Sequence, residues 1–343
     1  MTKFRALLCT GTVVIFSSAL LAQTRPLNVG PSDANAADQA TIVNLSANRA
    51  LTEAGQQATE SSLKIKASSQ SGHKGNGSHP TLFPADLSNQ GGPVLPRAEL
   101  ENVFINQPPS AWGDPLGFLN DLNNSDLIHI TDQYVGTHED NRYPVGTNFS
   151  ANVTPAAAFP GKAPNIITIN QIVGLVHAAA SVTGGGYDHV INVFIPPGVD
   201  TCFSGNKSCF SPDNFPTFAF CAFHASVTFS DIGHVLLTVE PETGVVGCAS
   251  AQPSVNGIVA DSVDSTLSHE TIETITDPDG NAFFVTGSLD LGGFEIGDVC
   301  QPGGNDQAQF LVPTFQVNGH PYAIQLEYSN RGHGCFSRPQ GGD

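Results

Sequence analysis

The stretch richest in chemistry is Ser268-His269-Glu270-Thr271-Ile272-Glu273-Thr274-Ile275-Thr276-Asp277-Pro278. It contains H-E-x-x-E, one letter from the H-E-x-x-H of zinc proteases. On an α-helix, residues i and i+4 lie one turn apart on one face. His269 and Glu273 then point the same way, and an imidazole nitrogen and a carboxylate oxygen are both zinc ligands. Glu270 sits where H-E-x-x-H enzymes keep a glutamate that is not a ligand but takes a proton from metal-activated water. With 11 His and 11 Glu in 343 residues, only about 0.01 such matches arise by chance. The competing reading is a solvated, acidic helix face.

A catalytic zinc generally has three protein ligands, so a third must come from elsewhere. Phe294-Glu295-Ile296-Gly297-Asp298-Val299-Cys300 offers Glu295 and Asp298 beside a cysteine. Asp277, eight residues beyond His269, is expected to cap the helix or to hydrogen-bond a ligand. Asp277, Asn281, Glu295 and Asp298 would alternatively make an oxygen-rich calcium site. His224 is the extra histidine expected near the site, holding a transition-state oxyanion or ligating the ion; otherwise it is a satisfied core histidine. His189, His234, His320 and His333 have no supporting pattern and are read as structural. No Gly-x-Ser-x-Gly elbow occurs, so serine catalysis has no support.

The central helix is expected over residues 254–276, capped by Ser254 or Asn256. Pro278 disfavours helical geometry at Asp277 and so ends it. Ahead of it, Asn170 to Val182 has amphipathic helical spacing and stops at Gly184-Gly185-Gly186. Leu116 to Leu122 reads as a shorter helix. Val103 to Ile105, His189 to Ile195, Phe218 to Phe229 and Val235 to Val239 read as strands. The fold class is therefore α+β: a mixed sheet with a central metal-binding helix and disulfide-stapled loops. Its element order is that of a zincin-like lobe, which is fold analogy.

The two ends and the composition narrow the setting. Lys3 and Arg5 precede an apolar run ending at Ala22, so residues 1–22 read as a secretory signal, with no membrane association once it is removed. Residues 23–88 read as a low-complexity propeptide or linker, partly disordered; weak helical spacing runs over residues 38–67. Residues 89–343 form the folded domain. The 13 Lys and Arg against 31 Asp and Glu give a net charge of −18, which excludes a nucleic-acid partner, since phosphates need a basic face. Six cysteines remain after the signal, an even number that reads as disulfides in an exported chain. Pairing neighbours gives Cys202–Cys209, Cys221–Cys248 and Cys300–Cys335. The location is extracellular or periplasmic.

Gly91-Gly92-Pro93-Val94-Leu95, Val103-Phe104-Ile105, Tyr134-Val135-Gly136, Phe220-Cys221 with Phe223-His224-Ala225-Ser226, the Ser268-to-Pro278 helix, Glu295-Ile296-Gly297-Asp298-x-Cys300 and Tyr328-Ser329-Asn330 together resemble the phosphate-induced, exordium-like family and its bacterial relatives. The likeness covers roughly residues 90–337. The helix motif and E-I-G-D-x-C are its specific parts. It implies a secreted or cell-wall protein. Plant members are associated with growth and brassinosteroid response without an established enzymatic activity, and the bacterial relatives look like metalloproteases because of the His-Glu helix. By motif position, His269, Glu270 and Glu273 are the helix residues and Glu295 and Asp298 the second acidic cluster. The chain departs in its Gly/Asn-rich loops and in Phe283-Phe284, where a pair with Trp is more usual.

The expected function is a secreted zinc-dependent hydrolase, most simply a peptidase acting on protein or peptide. Zinc sits on His269, Glu273 and Glu295 or Asp298, Glu270 is the general base, and His224 lies beside it. The rival is a non-catalytic extracellular module that binds cell-wall polymer and uses its acids for a structural cation. A carbohydrate hydrolase is a weaker third reading, because the chain has one Trp and 5 Tyr and so no aromatic sugar platform.

Overall fold

The computed structural model describes residues 23–49, 86–157, 164–202, 208–249, 255–286, 294–300, 315–322 and 324–340. The signal, residues 50–85 of the linker stretch and Ser254 lie outside them. Seven strands form the main sheet: β1 (Arg25–Leu27), β2 (Thr41–Arg49), β3 (Glu99–Ile105), β4 (Val145–Ala151), β5 (Gly186–Ile195), β6 (Phe220–Phe229) and β7 (Gly233–Pro241). Their order is β1-β4-β3-β5-β7-β6-β2. The five strands from β1 to β7 run parallel, while β6 is antiparallel to both β7 and β2. Four small sheets complete a mixed α+β architecture.

The strands sort their side chains by alternation, because successive residues point to opposite faces. Leu100 and Phe104 of β3, Val190 and Phe194 of β5 and Leu236 of β7 go to one face. Val103 and Ile105, Ile191 and Val193, and Val235 and Leu237 go to the other. Helices α1 (Pro31–Gln39) and α3 (Ile169–Thr183) contribute Ala37, Ile172 and Val176 to that second layer. Helices α2 (Pro115–Leu122) and α4 (Ile258–Thr276) cover the first, through Leu119, Val263, Leu267 and Ile272.

Local chemistry sets the helix ends. Thr168 caps α3 in a capping box with Gln171, whose N–H donates to Thr168 Oγ1 at 3.2 Å. Gly184, at φ 114°, stops it. Asn256 does not cap α4: its N-cap is Gly257, without a side-chain bond. Instead the Asp261 carboxylate turns back to accept the N–H groups of Val255 (2.7 Å) and Asn256 (3.1 Å). An acid inside the first turn thus replaces the expected cap, and it also suits the positive end of the helix dipole.

The stretch before Gly91 departs from the sequence expectation. Residues 38–67 have weak helical spacing, yet Thr41–Arg49 is strand. Residues 23–49, assigned to the linker or propeptide, supply both outer strands of the sheet. Edge pairing is made by backbone hydrogen bonds, which need no side-chain pattern and so leave no periodic signal.

Three cysteine pairs lie at disulfide distance: Cys202–Cys209, Cys221–Cys248 and Cys300–Cys335. Among the described residues no helix is long and apolar enough to cross a membrane.

Candidate metal centre

Helix α4 is buried on nearly every side from Asp261 to Thr276. At about 100° per residue, His269, Glu270, Glu273 and Asp277 fall within roughly 100° of arc, on the side that meets β6 and β7. Alternation along β6 turns His224 and Ser226 toward α4 while Phe223, Ala225 and Val227 go to the opposite core. The third contributor is the turn carrying Glu295 and Asp298. Cys300 ties this turn to Cys335 on strand β9 (Gly334–Phe336), paired with β8 (Glu327–Ser329). The N–H of Tyr328 donates to Ile296 O at 3.0 Å, and the N–H of Asp298 donates to Glu273 Oε1 at 3.1 Å.

Gly297 makes this approach possible. A Cβ there would stand 2.2 Å from His269 Nδ1 and 2.6 Å from its Cε1. The glycine of E-I-G-D is therefore the surface on which the imidazole lies. Gln325 holds the same ring: its Nε2 is 2.7 Å from His269 Nδ1 and 3.1 Å from Gly297 O.

Two groups of potential ligands result. His269 Nε2 is 3.1 Å from Glu273 Oε1 and 4.0 Å from Asp298 Oδ1. His224 Nδ1 is 3.2 Å from Glu270 Oε2 and 3.6 Å from Glu273 Oε2. Within each group the ligand atoms lie within 4.8 Å of one another. These buried His, Glu and Asp residues could hold a metal ion. Glu295 Oε1 lies 3.7 Å from His224 Nε2. Asp277 closes the next turn, its Oδ1 accepting the N–H groups of Asn281 (2.6 Å) and Ala282 (2.7 Å). Asn281 itself is exposed, unlike Asp277, Glu295 and Asp298.

The electrostatics are extreme. Glu240, Glu270, Glu273, Asp277, Glu295, Asp298 and Glu327 are all buried, at 6% exposure or less, with His224 and His269 at 0%. Among the described residues the one buried Lys or Arg is Arg142, and it pairs with Asp132. Burial pushes the Glu240 and Glu327 carboxyls well above the ordinary carboxylate range, aided at Glu240 by the charge of Glu270. Burial also raises Glu270, although the hydrogen bond from His224 pulls the other way. At Glu273 burial is outweighed by His269 and His224, and its pKa falls. The two imidazoles rise despite burial, His269 through the charge of Glu273 and His224 through its hydrogen bond to Glu270. Buried charge of one sign without a counter-charge is costly.

Several participants had no sequence signal. Glu240 sits at the end of the apolar run in β7 and Glu327 in a three-residue strand. Both oxygens of Glu327 are buried without a hydrogen-bond partner. A polar row also crosses the sheet beneath α4. Asn102 Nδ2 donates to Asn148 Oδ1 (2.9 Å), Asn192 Nδ2 donates to Asn102 Oδ1 (3.0 Å), and Thr238 Oγ1 donates to Asn192 Oδ1 (3.0 Å). Thr238 is directly opposite His224. Polar residues at one register on adjacent apolar strands would have been the clue, but register is not visible before the strands are paired.

The four histidines read as structural each meet a carboxylate elsewhere: His189 with Glu101, His234 with Asp279, His320 with Asp121 and His333 with Asp86. Glu99, Glu101 and His189 form a further, less buried group with metal-compatible spacing. Compared with protein-family models, curated proteins and solved structures, the chain matches none.

Proposed function

We propose that this chain is an exported metal-dependent hydrolase, most simply a peptidase, built on a zincin-like lobe whose metal-binding helix is α4. The observation that carries this reading is the buried set of seven carboxyl groups and two imidazoles, with no buried Lys or Arg beside them among the described residues. Such a set is tolerable when a cation supplies the missing positive charge. Imidazole with carboxylate suits zinc. Export is supported by the N-terminal sequence and the three cysteine pairs, and the likeness to exordium-like proteins and their bacterial relatives points the same way.

His269, Glu273 and Asp298 would hold the ion, with Glu295 at the margin. When bound, a divalent ion supplies Lewis acidity toward a water and a carbonyl oxygen. Glu270 is the general base, its pKa raised by burial against the pull of the His224 hydrogen bond. His224 Nδ1, 3.2 Å away, orients the Glu270 carboxylate.

A second reading has its own observation. His224, His269, Glu270 and Glu273 are 0% exposed, which favours a structural cation inside an extracellular or wall-binding module. Glu270→Gln separates the two. In the hydrolase, cleavage of an unfolded protein substrate falls by roughly 10²-fold or more while the fold and the ion on His269, Glu273 and Asp298 are kept. In the structural reading, wild type and variant are equally inactive on such substrates. A protein that binds no divalent ion and melts identically in chelator defeats both.

A further inference from the structure

We infer that the centre takes two divalent cations, with Glu273 bridging them. This rests on the metal-binding reading of the same site and makes Glu270 a ligand of the second ion in place of a free general base.

The first observation is that two ligand groups share one residue through different atoms. Glu273 Oε1 faces His269 Nε2 at 3.1 Å, in the group completed by Asp298. Glu273 Oε2 faces His224 Nδ1 at 3.6 Å, in the group completed by Glu270. Among the described residues the two imidazoles fall into no common group with a third residue, although 4.8 Å is a generous limit. One ion therefore cannot use both histidines as they stand.

The second observation is the spacing. Ligands about 2.0–2.2 Å from a tetrahedral ion are about 3.3–3.6 Å from each other. The ligand-to-ligand distances of 3.1 and 4.0 Å in one group and 3.2 and 3.6 Å in the other bracket that value. Glu273 Oε2 has no hydrogen-bond partner, so this oxygen, aimed at the His224 side, is available to ligate.

The third observation is spare ligands. Seven carboxyl groups are buried with the two imidazoles, more donors than the three that one catalytic zinc generally takes. Glu327 is 0% exposed, and neither of its oxygens has a hydrogen-bond partner. It is thus a spare buried acceptor, although the His269 group itself is completed by Asp298 and not by Glu327. Glu295 Oε1, 3.7 Å from His224 Nε2, borders the other half. One imidazole per ion with several carboxylates is a donor set for zinc, manganese or iron in the divalent state. Two such ions under a bridging carboxylate stand about 3.5–4 Å apart.

The test is metal content of the full chain, purified without chelator, equilibrated with Zn²⁺ or Mn²⁺ and desalted. Elemental analysis is expected to give two ions per chain, and the Mn²⁺ form is expected to show the exchange-coupled spin-resonance spectrum of a close pair. His224→Ala and His269→Ala are each expected to retain one ion and to lose the coupled spectrum. One ion per wild-type chain, with an uncoupled Mn²⁺ spectrum, overturns the pair while leaving a mononuclear metal centre intact. No bound ion overturns both readings. Two ions that persist in both histidine variants place the second ion elsewhere and also overturn the bridge. The wild-type stoichiometry and spectrum decide the matter even if a variant fails to fold.

Discussion

Gly297→Ala adds one methyl group, and its effect has a sign that can be worked out. Gly297 is not among the glycines of positive φ, so alanine can adopt its backbone geometry. Where space exists, Gly→Ala then stabilises a protein by about 0.4–1 kcal/mol by restricting the unfolded chain. Space does not exist here. The new Cβ would be 2.2 Å from His269 Nδ1 and 3.0 Å from its Cγ, against a comfortable contact of about 3.5–4.0 Å. The ring cannot swing aside freely, because it is 0% exposed and held by Gln325 and Glu273. Overpacking of this kind costs about 1–3 kcal/mol, which outweighs the entropic gain. The expected net loss is about 1–2 kcal/mol, or roughly 2–4 °C in melting temperature for a chain of this size. Displacing an imidazole ligand should also weaken Zn²⁺ binding by about tenfold or more. Thermal melts with and without Zn²⁺, and competition against a chromophoric chelator, read both effects. A Gly297→Ala protein that melts higher than wild type and binds Zn²⁺ equally well would refute the reasoning.

The other expectations are quickly stated. Cys300→Ser with Cys335→Ser opens a 35-residue separation, worth about 4 kcal/mol in the chain-entropy picture, whereas Cys202→Ser with Cys209→Ser opens 7, worth about 2 kcal/mol. Urea denaturation should show that order, and only the first pair should also lower cation affinity, since it frees the turn of Asp298 and the strand of Glu327. In chelator, burial of the Glu327 carboxyl, raised well above its ordinary 4.5, costs about 1.4 kcal/mol more per pH unit above that value until the folded pKa is reached. Glu327→Gln should therefore be more stable than wild type at pH 7 in chelator and less stable in saturating metal; a change of the same sign in both denies the carboxylate a place at the ion. His177 bridges Asp33 at 2.7 Å and Asp231 at 3.0 Å. Burial lowers its pKa, but the two carboxylates more than compensate and the net shift is upward from 6.5. Its stabilisation is thus complete below pH 6.5 and lost as pH rises through the folded value, so His177→Gln should flatten that limb of a stability–pH curve.

Much of the scaffold could be read from local pattern. The apolar runs at Val190–Ile195 and Val235–Val239 lie within β5 and β7, the spacing of residues 170–182 lies within α3, and Pro278 stands just past the end of α4. Each is a short-range property, fixed by side-chain period or by one backbone restriction. The three cysteine pairs also link sequence neighbours. Pattern failed where the determining interaction is remote. β1 and β2 are strands because β4 and β6 lend them hydrogen bonds from more than a hundred residues away.

The candidate site divides along the same line. Residue types and one helical turn were enough to set His269, Glu270 and Glu273 side by side, because 3.6 residues per turn is a local constant of the chain. Tertiary structure alone decided that β6 presents His224 to that face, that Gly297 lies flat under His269, and that β8, paired with the strand of Cys335, buries the Glu327 carboxyl. It decided, above all, that the two oxygens of Glu273 look toward different histidines. Those placements depend on strand register and on packing across the sheet, where a shift of one residue would turn His224 or Glu240 to the opposite face. A linear sequence carries the donors; the cavity that makes their buried charges depend on one another exists only once the chain has closed around them.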